Sequence, residues 1–237
     1  MSPVLKAREI GSGPRLLLVH GGVGPEVGWE EQEPLGERFA LILPWRRGYG
    51  DSPGAEQQDF DADADDLLEL LGTHSTHAAA FSYGALGLLV AAGRAPQMFD
   101  SLTLIEPPLF MLAGDDPAVQ ELLGQLGQFA QAGPQGAPPE LEGFLSLQKL
   151  SAERGYPPPP GMRPPFEAQI DYEELRGIPA LVVSGDHHAG FERTCDALAE
   201  AIGAERAVLP GAGHAPQRAD GFNERLEEFL AGRDLSP

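Results

Sequence analysis

The chain has 237 residues, of which 42% are hydrophobic, and this is enough to form the core of a single α/β domain. Its formal net charge of −20 at pH 7 excludes nucleic acid and anionic membrane surfaces from the expected partners. The single cysteine, Cys195, excludes an internal disulfide. Residues 1–10 carry no apolar leader and no apolar run has transmembrane length, so we expect a cytoplasmic protein.

The first quarter of the chain alternates between predicted strands and helices. Short apolar runs predict three strands, at Leu5–Ile10, Arg15–His20 and Phe39–Pro44. The second and third do not alternate between apolar and polar residues, which indicates that both of their faces are buried. A glycine-rich loop over 20–25 follows the second strand, and a helix is predicted over Trp29–Arg38. Another helix is predicted over Asp59–Leu71, with acidic residues at its start, where the helix dipole favours them.

The most informative stretch begins with the apolar run His77–Phe81, which enters an Ala/Leu/Gly-rich helix with no turn residues between them. Ser82 lies at the junction, and Ala80-x-Ser82-x-Gly84 matches the nucleophile-elbow pattern G-x-S-x-G with Ala at the first Gly position. The elbow places Ser82 at a helix N-terminus, where free N–H groups favour a developing negative charge. The alternative is that Ser82 only caps a buried helix.

The second half of the chain begins with a strand over Ser101–Glu106, followed by a departure from the alternation. Residues 109–175 are rich in proline, with helical patches near 116–130 and 140–154, and we predict a helical cap that divides the core domain into 1–108 and 176–237. Strands resume at Pro179–Gly185 and Glu205–Leu209. A helix follows each of these strands, and the last helix is predicted over Phe222–Ala231. In the helix between the two strands, Cys195 lies on an apolar face and is therefore predicted to lie in the core. This order predicts an α/β fold with a mostly parallel sheet and helices on both faces.

The candidate catalytic residues lie in loops that follow the C-terminal ends of the predicted strands. Ligands bind at that edge of an open α/β sheet. A serine needs a base within hydrogen-bond reach and a third group to orient that base. The candidate base is His214, in a Gly-Ala-Gly-His-Ala-Pro loop after the last strand. Arg46 and Arg47, in the loop after the third strand, have the chemistry to bind an anionic substrate, but an arginine in such a loop more often ties loops together through its several donors, and we expect that role.

Four motifs, in this order along the chain, resemble the α/β-hydrolase superfamily over nearly the whole chain except the cap: His20-Gly21-Gly22, Arg47-Gly48-Tyr49-Gly50-Asp51-Ser52, Ala80-x-Ser82-x-Gly84 and Gly213-His214. The resemblance implies that Ser82 is the nucleophile and His214 the base. It also implies an oxyanion hole formed by the backbone N–H of Tyr83 and that of Gly22 or Val23. Loss of one such donor lowers the rate by about 10²–10³.

The triad acid is where the chain departs from the family pattern. The usual Gly-x-x-Asp after the strand becomes Gly185-Asp186-His187-His188, so His188 stands where the acid usually stands. Asp186 lies on this loop two residues early. Glu106 closes the preceding strand, a position from which some superfamily members supply their acid. Both carboxylates remain candidates.

The predicted function is hydrolysis of a small carboxylic ester, thioester or lactone by a cofactor-independent serine hydrolase, monomeric or homodimeric. The cap is apolar, which suits an uncharged, partly apolar substrate, and its apolar residues include Phe110, Met111, Leu112, Phe129, Phe144 and Leu145. Related triad chemistries (C–C bond hydrolysis, perhydrolysis, acyl transfer) and a non-catalytic ligand-binding protein are the alternatives. No metal is expected, because the adjacent residues His187 and His188 point to opposite faces of a strand.

Overall fold

A computed structural model describes residues 5–132, 141–231 and 233, and it confirms the predicted α/β fold. The strands are β1 (Ala7–Ile10), β2 (Arg15–Val19), β3 (Ala40–Pro44), β4 (Gln57–Gln58), β5 (Thr76–Phe81), β6 (Phe99–Ile105), β7 (Gly161–Met162), β8 (Ala180–Ser184) and β9 (Glu205–Val208). Seven of them form one sheet in the order β1-β3-β2-β5-β6-β8-β9. All neighbouring pairs in it are parallel except β1 with β3, so the C-terminal ends of six strands meet at one edge.

The helices of the described chain are α1 (Pro25–Gly28), α2 (Phe60–Leu71), α3 (Tyr83–Arg94), α4 (Pro117–Ala132), α5 (Glu142–Glu153), α6 (Tyr172–Leu175), α7 (Ala189–Ile202) and α8 (Phe222–Leu230). Helices lie on both faces of this sheet, with α2, α3 and α7 on one face and α8 on the other. Side chains alternate along β2, so that Leu17 and Val19 pack with α2, α3 and α7 while Leu16 and Leu18 pack with α8. The thiol of Cys195 lies in the first of these two cores, as the helix periodicity predicts.

The predicted helix over Trp29–Arg38 is instead a 3₁₀ helix over Glu30–Glu37. Pro34 lies inside it, and a proline removes a backbone donor and clashes with the preceding turn of an α-helix, so the tighter and shorter form is adopted. The other predicted helices and the predicted strands of the sheet lie within two residues of their predicted bounds, while the short helices α1 and α6 were not predicted.

Between β6 and β8, the described residues contribute helices and the short strand β7, which pairs with β4 outside the main sheet. Helix α5 is joined to the loop after β2, because the N–H of Gly24 donates to the buried hydroxyl of Ser151 over 2.8 Å. The prolines at 134, 138 and 139 lie outside the described residues, and the division into a core and a cap over 109–175 stays a prediction. In the described part of the chain, no helix combines the length and the apolar character needed to cross a membrane.

Candidate active site

Ser82 lies at the sharp turn between β5 and α3, as predicted. Its backbone has φ 50° and ψ −127°, and a non-glycine residue rarely adopts such a positive φ. The Ser82 N–H donates to the carbonyl of Ile105 over 2.8 Å, which fixes the elbow to β6. A Cβ at Gly84 would lie 2.1 Å from the carbonyl oxygen of His20, so the second small position of the elbow is required by the backbone after β2.

The hydroxyl of Ser82 does not cap α3; its Oγ lies 3.1 Å from Nε2 of His214. The other ring nitrogen of His214, Nδ1, lies 2.5 Å from Oε2 of Glu106. Three phenylalanine rings surround this imidazole at centroid distances of 5.2, 4.8 and 4.8 Å, those of Phe81, Phe144 and Phe191. The imidazole is therefore held between a hydroxyl and a carboxylate, the arrangement in which it can take and return a proton.

Of the two candidate acids, the structure brings Glu106 to His214. The Glu106 side chain is fully buried, and its Oε1 accepts the N–H of Gly185 over 2.8 Å. Burial alone raises the pKa of this carboxyl, but its contacts with His187 and His214 outweigh burial and hold the pKa below its ordinary value. Asp186 is exposed and contributes its backbone N–H to Glu192 over 3.0 Å.

Backbone strain marks the same edge of the sheet. Among the described residues, the three non-glycine residues with positive φ are Ser82 (50°), Glu106 (44°) and Asp186 (53°). They follow β5, β6 and β8, which are neighbours in the sheet. Such conformations cost about 1–3 kcal/mol each and cluster at functional sites. Sequence reasoning could not find this signal, because residue type alone does not predict a positive φ at a glutamate.

The loop after β2 is fixed by a fully buried arginine. Arg46 Nη1 donates to the carbonyl of Gly21 over 3.0 Å, and its guanidinium pairs with the buried Asp63 at 2.6 Å. The Arg46 backbone N–H donates to Nε2 of His20 over 2.9 Å. Burial, and then the neighbouring Arg46, lower the pKa of His20 well below its ordinary value, so this imidazole stays neutral. The expected role of Arg46 in tying loops together is confirmed.

The candidate oxyanion donors lie beside this loop. Gly22 and Val23 are buried, and Tyr83 is the first residue of α3, where backbone N–H groups have no partner within the helix. Two side chains of helix α5 pack directly against this loop. A Cβ added at Gly22 would lie 3.0 Å from the side-chain nitrogen Nε2 of Gln148 and 3.2 Å from the ring of Phe144. The role of these N–H groups as an oxyanion hole stays a prediction.

His187 is the neighbour that sequence reasoning did not place in the site. Its side chain is 7% exposed, and its Nδ1 lies 3.2 Å from Oε1 of Glu106. Candidate ligand atoms of Glu106, His187 and His214 all lie within 4.8 Å of one another, which is the one group in the described residues that could hold a metal ion. His188 instead caps α7, with Nδ1 accepting the N–H of Gly190 over 2.9 Å. The expectation that the site needs no metal stays a prediction.

A surface groove of about 600 Å³ runs beside β9 and includes none of these three residues. It is lined by residues 206–212 and 219–221 and by Arg225. The groove does not lie where the strained loops meet the ring of His214. We therefore identify the candidate site from the contacts of its side chains and not from the size of a groove.

Comparisons with known proteins identify the family and the fold of the chain. A family model described as the alpha/beta hydrolase fold matches residues 14–144, over half of the chain. No curated protein matches the sequence. Similar solved structures include the esterase RhEst1 from Rhodococcus sp. ECU1013 (19% identity, 98% of each chain covered, TM-score 0.70) and the N-acyl homoserine lactone degrading enzyme Est816 (20% identity, 95% of this chain and 96% of that one, TM-score 0.69). A meta-cleavage product hydrolase from Pseudomonas fluorescens IP01 is similar at 19% identity, with 97% of each chain covered and a TM-score of 0.63. At these identities the likeness shows the fold alone.

Proposed function

The chain belongs to the α/β-hydrolase family, and from this premise we propose that it is a serine hydrolase that cleaves a small carboxylic ester, thioester or lactone. One observation carries the proposal: the contacts from Ser82 Oγ to His214 Nε2 (3.1 Å) and from His214 Nδ1 to Glu106 Oε2 (2.5 Å) form one continuous chain. An esterase and a lactone-degrading enzyme are among the similar structures, which supports this substrate class by analogy.

In the first half of the reaction, Ser82 Oγ attacks the substrate carbonyl carbon while His214 Nε2 takes the hydroxyl proton. The carbonyl electron pair moves onto oxygen, which accepts hydrogen bonds from the N–H of Tyr83 and that of Gly22 or Val23. Ionised Glu106 stabilises the imidazolium that forms. The tetrahedral intermediate then breaks its bond to the leaving oxygen or sulfur, and His214 returns the proton to that atom, leaving an acyl-Ser82 ester.

In the second half, His214 takes a proton from water as the water oxygen attacks the acyl carbon. The new intermediate breaks its bond to Ser82 Oγ, which receives the proton from His214. The products are a carboxylic acid and an alcohol or thiol, joined in one molecule when the substrate is a lactone. The atoms balance with water as the second reactant, so the mechanism calls for no cofactor.

The surroundings of the imidazole suit an uncharged, partly apolar substrate. Phe81 and Phe144 pack against the His214 ring, and Phe191 packs against it from α7 with Phe110 stacked edge-on behind at 5.3 Å. Rings that exclude water make a charged acyl group costly to bury. The net charge of −20 also disfavours an anionic substrate.

The test combines labelling with turnover. We expect a fluorophosphonate probe to label wild-type protein and not Ser82→Ala, and we expect the wild type to hydrolyse p-nitrophenyl acetate and butyrate. Loss of the nucleophile should lower kcat by about 10⁶, the size found when a serine of such a triad is removed. Equal turnover by the wild type and Ser82→Ala, with no labelling, would favour a non-catalytic ligand-binding protein instead.

A further inference from the structure

We propose that His187 is a positioning residue that holds the carboxylate of Glu106 in the orientation His214 needs. The inference deepens the proposed function and rests on it. The two side chains lie together in the interior, with Glu106 fully buried and the His187 side chain 7% exposed. Their Nδ1–Oε1 separation of 3.2 Å is within hydrogen-bond distance, although the ring is not aligned for a hydrogen bond in this structure. Such contacts are often poorly aligned without substrate and tighten when it binds.

The two oxygens of Glu106 have separate partners. Oε2 accepts from His214 Nδ1, while Oε1 faces the N–H of Gly185 at 2.8 Å and Nδ1 of His187. A buried carboxylate needs donors on both oxygens, since an oxygen without them pays the cost of desolvation. With Oε1 held, the carboxylate cannot rotate away from His214. Without His187, one backbone N–H holds Oε1 alone.

The loop is built to turn His187 inward. Asp186 adopts φ 53°, so it faces solvent while the next residue turns toward the sheet. The Asp186 N–H donates to Glu192 over 3.0 Å, and Glu192 is fixed in turn by Arg206 at 2.6 Å and by the hydroxyl of Ser184 at 2.7 Å. This polar network holds the strained turn in place.

The same loop is joined to the one that carries His214. The N–H of Gly213 donates to the carbonyl of Gly185 over 3.3 Å. A Cβ at Gly185 would lie 1.9 Å from the carbonyl oxygen of Gly213, so the two backbones approach as closely as glycine allows. The ring of His187 packs on Phe191 at 4.7 Å and lies 5.6 Å from the ring of His214. The packing of these two loops therefore brings His187, Glu106 and His214 together.

The charge of Glu106 depends on these contacts. Burial raises its pKa, and the contacts from His187 and His214 bring it below the ordinary value. The other titratable groups packed around Glu106 and His187 are Cys195 and the Glu192–Arg206 ion pair behind Asp186. Burial raises the pKa of the Cys195 thiol well above its ordinary value. Neither supplies a donor to Oε1 in the described residues, so removal of His187 should make Glu106 easier to protonate.

The experiment compares His187→Phe, which keeps an aromatic ring on Phe191, with His187→Asn, whose amide supplies a donor at the position of Nδ1. His188→Asn is the matched control, because asparagine keeps the cap of α7. With p-nitrophenyl butyrate in excess EDTA, we expect His187→Phe to lower kcat by about tenfold to a hundredfold, the size found for outer partners of functional groups. KM should change little, because His187 is proposed to act on Glu106 and not on the substrate.

His187→Asn should recover most of kcat, and His188→Asn should match the wild type. The proposal is overturned if His187→Phe keeps the wild-type kcat. It is also overturned if His187→Phe and His188→Asn lose activity equally, since that would show damage to the loop alone.

A readout independent of turnover separates this proposal from the function it rests on. If the wild type neither hydrolyses esters nor labels at Ser82, the hydrolase proposal fails, but ¹³C carboxyl NMR still follows the titration of Glu106, assigned with Glu106→Gln. We expect the pKa of Glu106 to be higher in His187→Phe than in the wild type. An unchanged pKa would overturn the role of His187.

Discussion

Two clusters of buried charge lie on either side of Ser82, and they are built differently. Arg46 and Asp63 form an ion pair that holds the Gly21 carbonyl, and a Cβ at Gly21 would lie 3.0 Å from that of Ser82. Glu106 instead has two imidazoles and a backbone N–H as partners. A guanidinium keeps its charge at any working pH, whereas an imidazole exchanges its proton near neutrality. The first cluster therefore suits a scaffold and the second suits proton transfer.

The largest expected effect comes from breaking the second cluster. Glu106→Gln keeps the size of the side chain but removes the charge that stabilises the imidazolium, and we expect kcat to fall by about 10⁴. Asp186→Asn is the matched control, because Asp186 is the other carboxylate at this edge and is exposed. It should stay within about twofold of the wild type, as surface changes away from a site usually do. Steady-state p-nitrophenyl butyrate turnover decides between them, and the reverse order of losses would make Asp186 the acid.

How far the sequence predicted this site can be judged from the same residues. An elbow and a small-residue histidine loop have sequence patterns, so the sequence alone predicts Ser82 and His214 as the nucleophile and the base. Glu106 was one of two candidates, because either β6 or β8 can deliver an acid and no residue pattern separates the two. The inward turn of His187 depends on a φ of 53° at Asp186, which is a property of the folded loop and is invisible in the letters Asp-His-His.

Breaking the first cluster should lower the free energy of unfolding more than it lowers catalytic turnover. Asp63→Asn leaves Arg46 charged and fully buried with no carboxylate, and such a change lowers the free energy of unfolding by about 3–5 kcal/mol. The control is Asp65→Asn on the same helix, because Asp65 pairs with Arg94 at 2.8 Å in solvent. Exposed pairs contribute about 0–1 kcal/mol. Urea unfolding measures both, and equal losses would mean that the buried pair is not the scaffold inferred here.

The smallest expected effect is the change with pH in the free energy of unfolding that Glu106, in the second cluster, contributes. The pKa of Glu106 is held below its ordinary value in the folded state, so its stabilisation is complete above the unfolded value of about 4.3. It is lost as the pH falls through the lower folded value, because the carboxyl is then protonated in both states. Wild-type stability should therefore fall more steeply in acid than that of Glu106→Gln, which has no group to protonate there. Urea unfolding of both proteins across this range tests the sign. Parallel curves would mean that the donors around Glu106 do not hold its charge, and the buried carboxylate would then differ little from a neutral side chain in its contribution to folding.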